Sequence, residues 1–447
     1  MSQHSAGDDD ATVPSRTLGV PVLSLRIGVT SGPDAGLVHV SHDEPVTVGT
    51  APGNTIVLGD RTVSGYHLEI RRKEDRVAIT DLGSTNGTSI GPVLVEDASV
   101  AAAVGTELTI GQTTLRIDDG ELVMVDRGQR TELAGIVGSS PVMQQLMDKV
   151  AGLADSDATV LLLGESGTGK ELIARALHAL GPRRDGPFVT VDCGAVPDNL
   201  FASELFGHER GAFTGADRAF AGAFERADGG TLFLDEIAEL PADQQVGLLG
   251  VLERRRVRRV GGEVERPVNV RVMSATHRDL RSEVNAGSFR LDLYYRLAVV
   301  LLRVPPLRDR PEDIPALVEL FLKQDDRSET PGELFDPEGM RALQMHRWPG
   351  NVRELRNVVT AALATGETPS LDAGGLARPT PAAGGDQIAP LLNRKYKEAR
   401  RVLLDEFEER YVRRLLERSE GNVRKGARLA GMDRSYLNDL LKRHGVR

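Results

Sequence analysis

Residues 161–174 read LLLGESGTGKELIA, and residues 229–236 read GGTLFLDE. The first stretch is an apolar strand, Val160 to Leu163, that enters a glycine-rich turn and then a helix starting near Lys170. Gly164, Gly167 and Gly169 leave backbone amides free to face an anion, and Lys170 stands where its ammonium reaches terminal phosphates. The second stretch is a continuous apolar run ending in Asp235-Glu236. Such a run reads as a strand buried on both faces, with two carboxylates at its C-terminal mouth. Together they describe a phosphate cradle beside a metal and water site, that is, a nucleoside triphosphate site. The spacing G-x-x-x-x-G-K is met by Gly164, Gly169 and Lys170, but Glu171 stands where a hydroxyl residue usually binds magnesium. Asp235 would therefore have to hold Mg2+, largely through water.

The chain around this site is too long for one core. At 447 residues, two to four domains are expected. Apolar residues make up 40% and charged residues 27%, an ordinary globular composition. A single cysteine, Cys193, excludes a disulfide within the chain and fits a reducing, cytoplasmic setting. The N-terminus carries Asp8-Asp9-Asp10 and no apolar stretch, so it does not read as a signal peptide, and no apolar run approaches a membrane span. The net charge of -10 argues against general coating of nucleic acid, but it is unevenly spread. Residues 391–447 hold 16 Lys and Arg against 9 Asp and Glu, a local +7. An acidic body with a basic end suggests a small DNA-binding module appended to something else.

Residues 1–19 are polar and patternless and read as a disordered tail. From residue 20 to about 120 the texture is β: short apolar runs such as Val46–Val48, Leu68–Ile70, Val77–Ile79 and Leu108–Ile110, broken by Gly, Asp, Asn and Pro. Strands at that spacing predict a β-sandwich or barrel. Gly49, the run Ser64-Gly65-Tyr66-His67 and the run DLGSTNGT at 81–88 resemble the forkhead-associated (FHA) domain, a β-sandwich whose loops bind phosphothreonine. The resemblance implies that Ser64 donates to a phosphate with Thr85 assisting, that Asn86 holds the ligand backbone, and that His67 braces the loop. Its departures are Thr50 and Gly65, which stand where such domains often carry arginines that bind the doubly charged phosphate. Arg61 or Arg71 would have to substitute; otherwise the fold is kept for packing against its own ATPase or a partner.

A charged connector, 119–132, leads to a second domain, 133–367. Strands and helices alternate to residue 305, predicting an α/β fold with a parallel sheet and the site at the strand C-termini. Residues 306–367 are helical and read as a lid. Within the α/β part lies SELFGHERGAFTGA, residues 203–216, a small-residue loop with a lone aromatic, Phe213, suited to pressing an apolar tip on a partner. In order, GESGTGKE, ELFGHE, GAFTGA, GGTLFLDE, FRLDLYYRL and WPGNVREL closely resemble the AAA+ domain of sigma-54-dependent activators, the bacterial enhancer-binding proteins. The resemblance turns Glu171 into the expected residue. It implies that Gly164, Glu165, Ser166, Gly167, Thr168, Gly169, Lys170 and Glu171 form the nucleotide loop, that Asp235 binds magnesium and that Glu236 polarises the attacking water. It implies that Gly211, Ala212, Phe213, Thr214, Gly215 and Ala216 contact sigma-54. Arg290 and Arg296 would act on ATP bound by a neighbouring subunit, in an oligomer running from dimer to hexameric ring, and Arg353 would be the lid's sensor arginine. His277 matches the first sensor. Asp192 stands where the family usually has the Asn that holds the catalytic glutamate, which suggests altered coupling of hydrolysis to the partner.

Residues 368–390 are rich in Gly, Ala, Pro and Thr and form a linker. The last unit, 391–447, reads as helices broken at Gly421-Asn422 and Gly431-Met432, a helix-turn-helix that resembles the Fis-type domain of the same family. Leu437, Leu440 and Leu441 would face inward, leaving Arg434, Ser435, Tyr436, Asn438, Lys442 and Arg443 for DNA. The whole implies an activator that tethers to upstream DNA and uses ATP to remodel sigma-54 RNA polymerase, with an FHA sensor tied to a Ser/Thr kinase or phosphothreonine protein. Two alternatives stay open: a non-transcriptional AAA+ remodeller, against which GAFTGA speaks, and a DNA-binding scaffold or repressor with a weak or uncoupled ATPase.

Overall fold

A computed structural model describes residues 20–42, 44–73, 75–125, 130–325 and 330–366, with residues 415, 423, 432, 437 and 441–443 near the C-terminus. The chain falls into two compact units, Met1–Leu376 and Ala377–Arg447. Among the described residues no helix is long and apolar enough to cross a membrane.

The N-terminal part is a two-sheet β-sandwich of the FHA type. Its strands are β1 (Val20–Ser31), β2 (Val38–Ser41), β3 (Val46–Gly49), β4 (Ile56–Val57), β5 (Leu68–Lys73), β6 (Arg76–Asp81), β7 (Thr88–Ile90), β8 (Val93–Val95), β9 (Ser99–Ala103), β10 (Glu107–Ile110) and β11 (Thr113–Val125). One sheet runs β2-β1-β11-β10-β7-β8 and the other β4-β3-β5-β6-β9. Alternation builds it: Val77, Ile79 and Asp81 of β6 point in and are buried, while Arg76, Ala78 and Thr80 between them are not. Ile27, Val46, Val48, Leu68, Ile70 and Ile117 meet between the sheets at zero exposure. β1 and β11 continue pairing out to Val20 opposite Val125. Residues 119–125, part of the expected connector, are therefore strand.

Two short strands, β12 (Glu132–Leu133) and β13 (Ile136–Val137), precede α1 (Pro141–Leu153). The α/β body then alternates β14 (Val160–Leu163), α2 (Lys170–Leu180), β15 (Phe188–Asp192), α3 (Asp198–Phe206), α4 (Ala223–Arg226), β16 (Thr231–Asp235) and α5 (Ala242–Arg254). A small hairpin, β17 (Arg256–Arg258) with β18 (Glu265–Pro267), leads into β19 (Arg271–Thr276), α6 (Leu280–Asn285), α7 (Leu291–Leu297) and β20 (Val300–Arg303). The parallel sheet is ordered β15-β16-β19-β14-β20. Here both faces are covered, so the strands are apolar runs: Leu232 and Leu234 enter one core and Phe233 the opposite one, all at zero exposure. Truncating Phe233 to Ala would cost about 3–5 kcal/mol.

The lid comprises α8 (Ile314–Gln324), α9 (Pro331–Leu334), α10 (Pro337–Met345) and α11 (Asn351–Thr365). Its core gathers Phe321, Phe335, Leu343, Leu355 and the fully buried Trp348, whose Nε1 donates to the Leu343 carbonyl (2.8 Å). Asp313 at its base is fully buried and accepts from the Ser139 and Ser140 amides (2.6 and 2.7 Å) and the Ser140 hydroxyl (2.8 Å), tying the lid to the start of α1. In the C-terminal unit Leu437 and Leu441 are buried while Lys442 and Arg443 are exposed and helical, the facing expected of them. Arg434, Ser435, Tyr436, Asn438 and Leu440 lie outside the described residues.

Candidate active site

The parallel register brings the polar strand ends to one edge. Asp192 lies opposite Asp235, and Leu163 opposite Thr276, so the turns that follow β14, β15, β16 and β19 open on a common cleft. That cleft encloses about 380 Å³ and is lined by Ser166, Cys193, Asp198, Glu236 and His277 among others.

On one side is the glycine turn. Gly167 and Gly169 hold φ of 78° and 104°, the left-handed region that glycine occupies without strain, and a Cβ on Gly167 would come within 2.4 Å of the Gly350 carbonyl oxygen. Lys170 is buried, and its Nζ donates to the Gly164 and Glu165 carbonyls (2.9 and 3.3 Å), folding back over its own loop. Burial holds its pKa below the usual lysine value, against the pull of Glu236 and Asp235. The turn's amides and this ammonium form a concave donor set that fits a polyphosphate.

Two residues of the turn look elsewhere. The Glu165 carboxylate takes both Arg308 amines (2.6 and 2.9 Å) and the Asn351 amide (3.1 Å), so it faces the lid rather than the cleft. Glu171 pairs with Arg175 along α2 (2.7 Å) on an exposed face. Thr168 is buried and donates its hydroxyl to the Glu165 carbonyl (2.8 Å).

Opposite the turn, the Asp235 carboxylate accepts the Glu236 amide (3.0 Å). Burial raises its pKa above the usual carboxylate value, with Glu236 and Asp192 pushing the same way and Lys170 opposing. A nearby cation would relieve that cost. Among the described residues no group of three or more His, Cys, Asp or Glu is gathered for a metal, so a bound Mg2+ would complete its shell with phosphate and water oxygens. Glu236 has φ 49°, a left-handed conformation that costs a non-glycine residue about 1–3 kcal/mol. The strain aims its carboxylate across the cleft. Oε2 accepts from His277 Nδ1 at 2.7 Å, and Oε1 lies 3.8 Å from Lys170 Nζ.

Asp192 does not hold Glu236. Its Oδ1 accepts the amides of Gly194 (2.9 Å) and Ala195 (3.2 Å), capping the turn that lines the cleft. His277 makes the contact that the resemblance assigns to position 192. Cys193 is buried, and burial pushes its thiol pKa up, which disfavours the thiolate.

The lid closes the third side. Arg353 Nη1 donates to the Ser166 hydroxyl (3.1 Å), and the Val352 and Arg353 amides donate to the Gly167 carbonyl (3.0 and 3.3 Å). Asn351 also donates to the Ser166 carbonyl (3.0 Å), and the buried Arg310 donates to the Thr168 carbonyl (3.0 Å). Asn351, Arg308 and Arg310 were not singled out from the sequence. The one signal for Asn351 was its place in WPGNVREL; that it sits at φ 52° is visible only in the fold.

Arg290 and Arg296 do not line this cleft. Arg290 precedes α7 and pairs with Asp292 (2.7 and 3.0 Å), and Arg296 pairs with Glu253 (3.5 Å), each about half exposed. The GAFTGA segment is a folded turn rather than a free projection. The Gly211 amide donates to the Ala216 carbonyl (2.8 Å), Ala216 is buried, and the Phe213 ring rests edge-on against His208 with centroids 5.0 Å apart. Phe213 is still 37% exposed, enough to offer an apolar tip.

In the sandwich, Ser64 Oγ accepts the Thr85 amide (2.9 Å), and Asn86 donates to the Thr62 carbonyl (2.8 Å). His67 is buried between the Ser64 amide (3.1 Å) and the Gly87 carbonyl (3.1 Å), bracing the loop as expected. Burial keeps its pKa below the usual histidine value. Arg61 is exposed and Arg71 lies 3.6 Å from Glu69.

Comparison with known proteins agrees with this architecture. Residues 136–303 match the Sigma-54 interaction domain family, residues 308–385 the AAA+ ATPase lid domain, and residues 28–121 the cytoplasmic domain of the inner membrane component of T3SS. The chain is 43% identical over 340 residues to the DNA-binding transcriptional regulator NtrC of Azospirillum brasilense, covering 71% of each chain. It is 46% identical over 315 residues to the transcriptional regulatory protein ZraR of Salmonella typhimurium, covering 69% of this chain and 68% of that one. Among solved structures, NtrX from Brucella abortus in complex with ATP aligns at 36% identity and a TM-score of 0.49, over 71% of this chain and 70% of that one. The nucleotide cleft is that of an ATPase, and the chain belongs to the sigma-54-dependent transcriptional activators.

Proposed function

We propose that this protein tethers to upstream DNA through residues 391–447 and assembles into a ring. The ring hydrolyses ATP to convert closed complexes of sigma-54 RNA polymerase into open ones. The observation that carries this reading is that Arg290 and Arg296 lie apart from the groups gathered at Glu236. Lys170, Asp235 and His277 gather around Glu236 at the cleft, while Arg290, just before α7, and Arg296 on it pair with Asp292 and Glu253. The turn amides and Lys170 hold the phosphates of ATP, and Asp235 with those phosphates would hold Mg2+, which supplies charge neutralisation as the terminal phosphoryl departs. Glu236, fixed by His277, takes a proton from the attacking water and orients it. Arg290 and Arg296 of a neighbouring copy stabilise the charge spreading over the transferred group, which makes activity depend on assembly. Phe213 and its loop meet sigma-54. The loop follows α3 and precedes β16, so nucleotide state at Asp235-Glu236 has a short path to it.

The FHA-like domain serves as the input, through a phosphothreonine protein or a Ser/Thr kinase, with Ser64, Thr85 and Asn86 on its open edge. The scaffold or repressor alternative drew its support from Asp192, and its carboxylate is occupied by two local amides. Open-complex formation in vitro, with sigma-54 polymerase and with or without phosphothreonine peptides, tests the reading. Promoter opening that needs ATP and rises with protein concentration is the expected result. A chain that hydrolyses ATP yet never opens the promoter would overturn it.

A further inference from the structure

Glu69 sits on the wrong face for its burial. In β5, Leu68 and Ile70 point into the sandwich core, so Glu69 between them points outward, yet it is only 8% exposed. What covers it is the ATPase. Its Oε2 accepts from Arg281 of α6 (2.6 Å) and from Arg303 at the end of β20 (2.5 Å), and Arg281 is itself 4% exposed. Charges at such low exposure persist only when paired. The contact extends around this pair. Ala51, Tyr66 and Leu82 of the sandwich form one apolar cluster with Val284 and Tyr294 of the ATPase, and the Tyr66 and Tyr294 rings meet edge to face at 5.5 Å. The Asn285 amide donates to the Tyr66 (2.5 Å) and Leu82 (2.9 Å) carbonyls, and the Tyr295 hydroxyl donates to the Pro52 carbonyl (2.5 Å).

Two features give this contact a meaning beyond packing. Gly65, where such domains often carry an arginine, lies at the edge of the contact, and a Cβ there would stand at ordinary packing distance, 3.9 Å from Asn285 Oδ1 and 3.7 Å from the Ala51 Cβ. A side chain at this position would therefore start beside the helix that the domain grips. The helices gripped are also the ones between the two catalytic halves. α6 begins three residues after His277, which holds Glu236, and α7 carries Tyr294 and Tyr295 beside Arg296, with Arg290 immediately before its first turn. Arg290 and Arg296 stay paired with carboxylates of their own chain in this docked form.

We propose that the outer face of the FHA-like domain is a docking surface for this chain's own α6–α7 helix pair, and that leaving the dock frees the arginine-bearing segment for a neighbouring subunit. The inference takes its readout from the ring-ATPase reading above, but the dock itself is measurable without it. In the full chain, Glu69→Arg places a third guanidinium beside Arg281 and Arg303, and Asn285→Arg breaks the same contact from the ATPase side. Glu69 and Asn285 take no part in nucleotide binding, and neither change enters the sandwich core. Hydrogen exchange should rise at least tenfold in residues 280–297 and 64–67 of both variants and stay unchanged in β6 and β16. The protein concentration giving half-maximal specific ATPase activity should fall at least threefold. Unchanged exchange in both variants would mean the dock is not formed in solution. Raised exchange with an ATPase curve that stays put or moves to higher concentration would overturn the restraining role. Wild-type protein inactive at every concentration, with the exchange result as expected, would instead break the ring-ATPase reading and leave the dock standing.

Discussion

The molecule carries one loop built for phosphate and one edge that resembles a phosphate-binding edge, and they are made of different parts. The turn after β14 recognises phosphate with backbone amides, one buried ammonium and glycines at positive φ, and every one of those parts is in place. The edge of the sandwich at Ser64, Thr85 and Asn86 keeps hydroxyl and amide groups, but Thr50 and Gly65 leave it without the guanidinium groups that normally meet a doubly charged phosphate. The face beside that edge is occupied by the chain's own helices. The contrast teaches that a cradle made of backbone asks little of its side chains, whereas one made of side chains depends on each of them.

Four changes would break or sharpen that contrast. The largest effect is expected at the arginines proposed to act across subunits: Arg290→Ala or Arg296→Ala should lower ATPase turnover by about 10³-fold or more. Adding a Glu236→Gln chain, whose own site is dead but whose arginines are intact, should restore part of it in mixing assays. No restoration at any ratio would remove the trans role. Glu236→Gln alone should cut turnover by about 10²–10⁴-fold while equilibrium binding of ATP, read by fluorescence of an analogue, is kept. Loss of binding in step with turnover would show Glu236 to be a binding group instead.

On the sandwich side, Asp81 is buried and accepts from the Ser84 amide (2.9 Å) and hydroxyl (2.7 Å), the Thr88 hydroxyl (2.8 Å) and the Asp97 amide (3.1 Å). Burial alone would raise its pKa, but these donors overcome it and hold the carboxyl below the usual value. Asp81→Ala should therefore cost the domain about 1–3 kcal/mol in a denaturant titration. The sign follows from the folded pKa being the lower one. The contribution is complete above the ordinary aspartate range and fades as pH drops through the depressed value, so the variant's deficit should shrink toward strong acid. A deficit that grows on acidification contradicts the network.

The smallest effect is expected at Asp192→Asn. Asparagine keeps the oxygen that caps the Gly194 and Ala195 amides, so stability should move by no more than about 0.5 kcal/mol. Basal ATPase should change little as well, because His277 holds Glu236. A large change in the stimulation by sigma-54 would return Asp192 to the coupling role that the sequence suggested.

Much of this was legible in the chain. Glycines, a lysine and two carboxylates at fixed spacing describe a nucleotide loop because the chemistry is local: a few consecutive residues make the cradle, and an apolar run makes the strand beneath it. The same locality exposed the sandwich through its short apolar runs broken by turn residues, and the lid through its helical pattern. Contacts between segments far apart were not legible. Glu165 belongs to the phosphate loop by its backbone, but its carboxylate holds Arg308 and Asn351; Asp192, expected beside Glu236, caps its own turn. The first side chain is drawn to the lid, and the second stays with the backbone of its own turn.

The sequence by itself determined the kind of protein: a β-sandwich joined to a two-sided parallel α/β ATPase with a helical lid, and the residues that cradle ATP. Periodicity and motif spacing carry that information along the chain. Only the tertiary structure decided which group steadies Glu236, which way Glu165 faces and what buries Glu69. Those depend on where β19, α6 and the lid come to rest against distant loops, and no pattern within a single segment encodes such an approach.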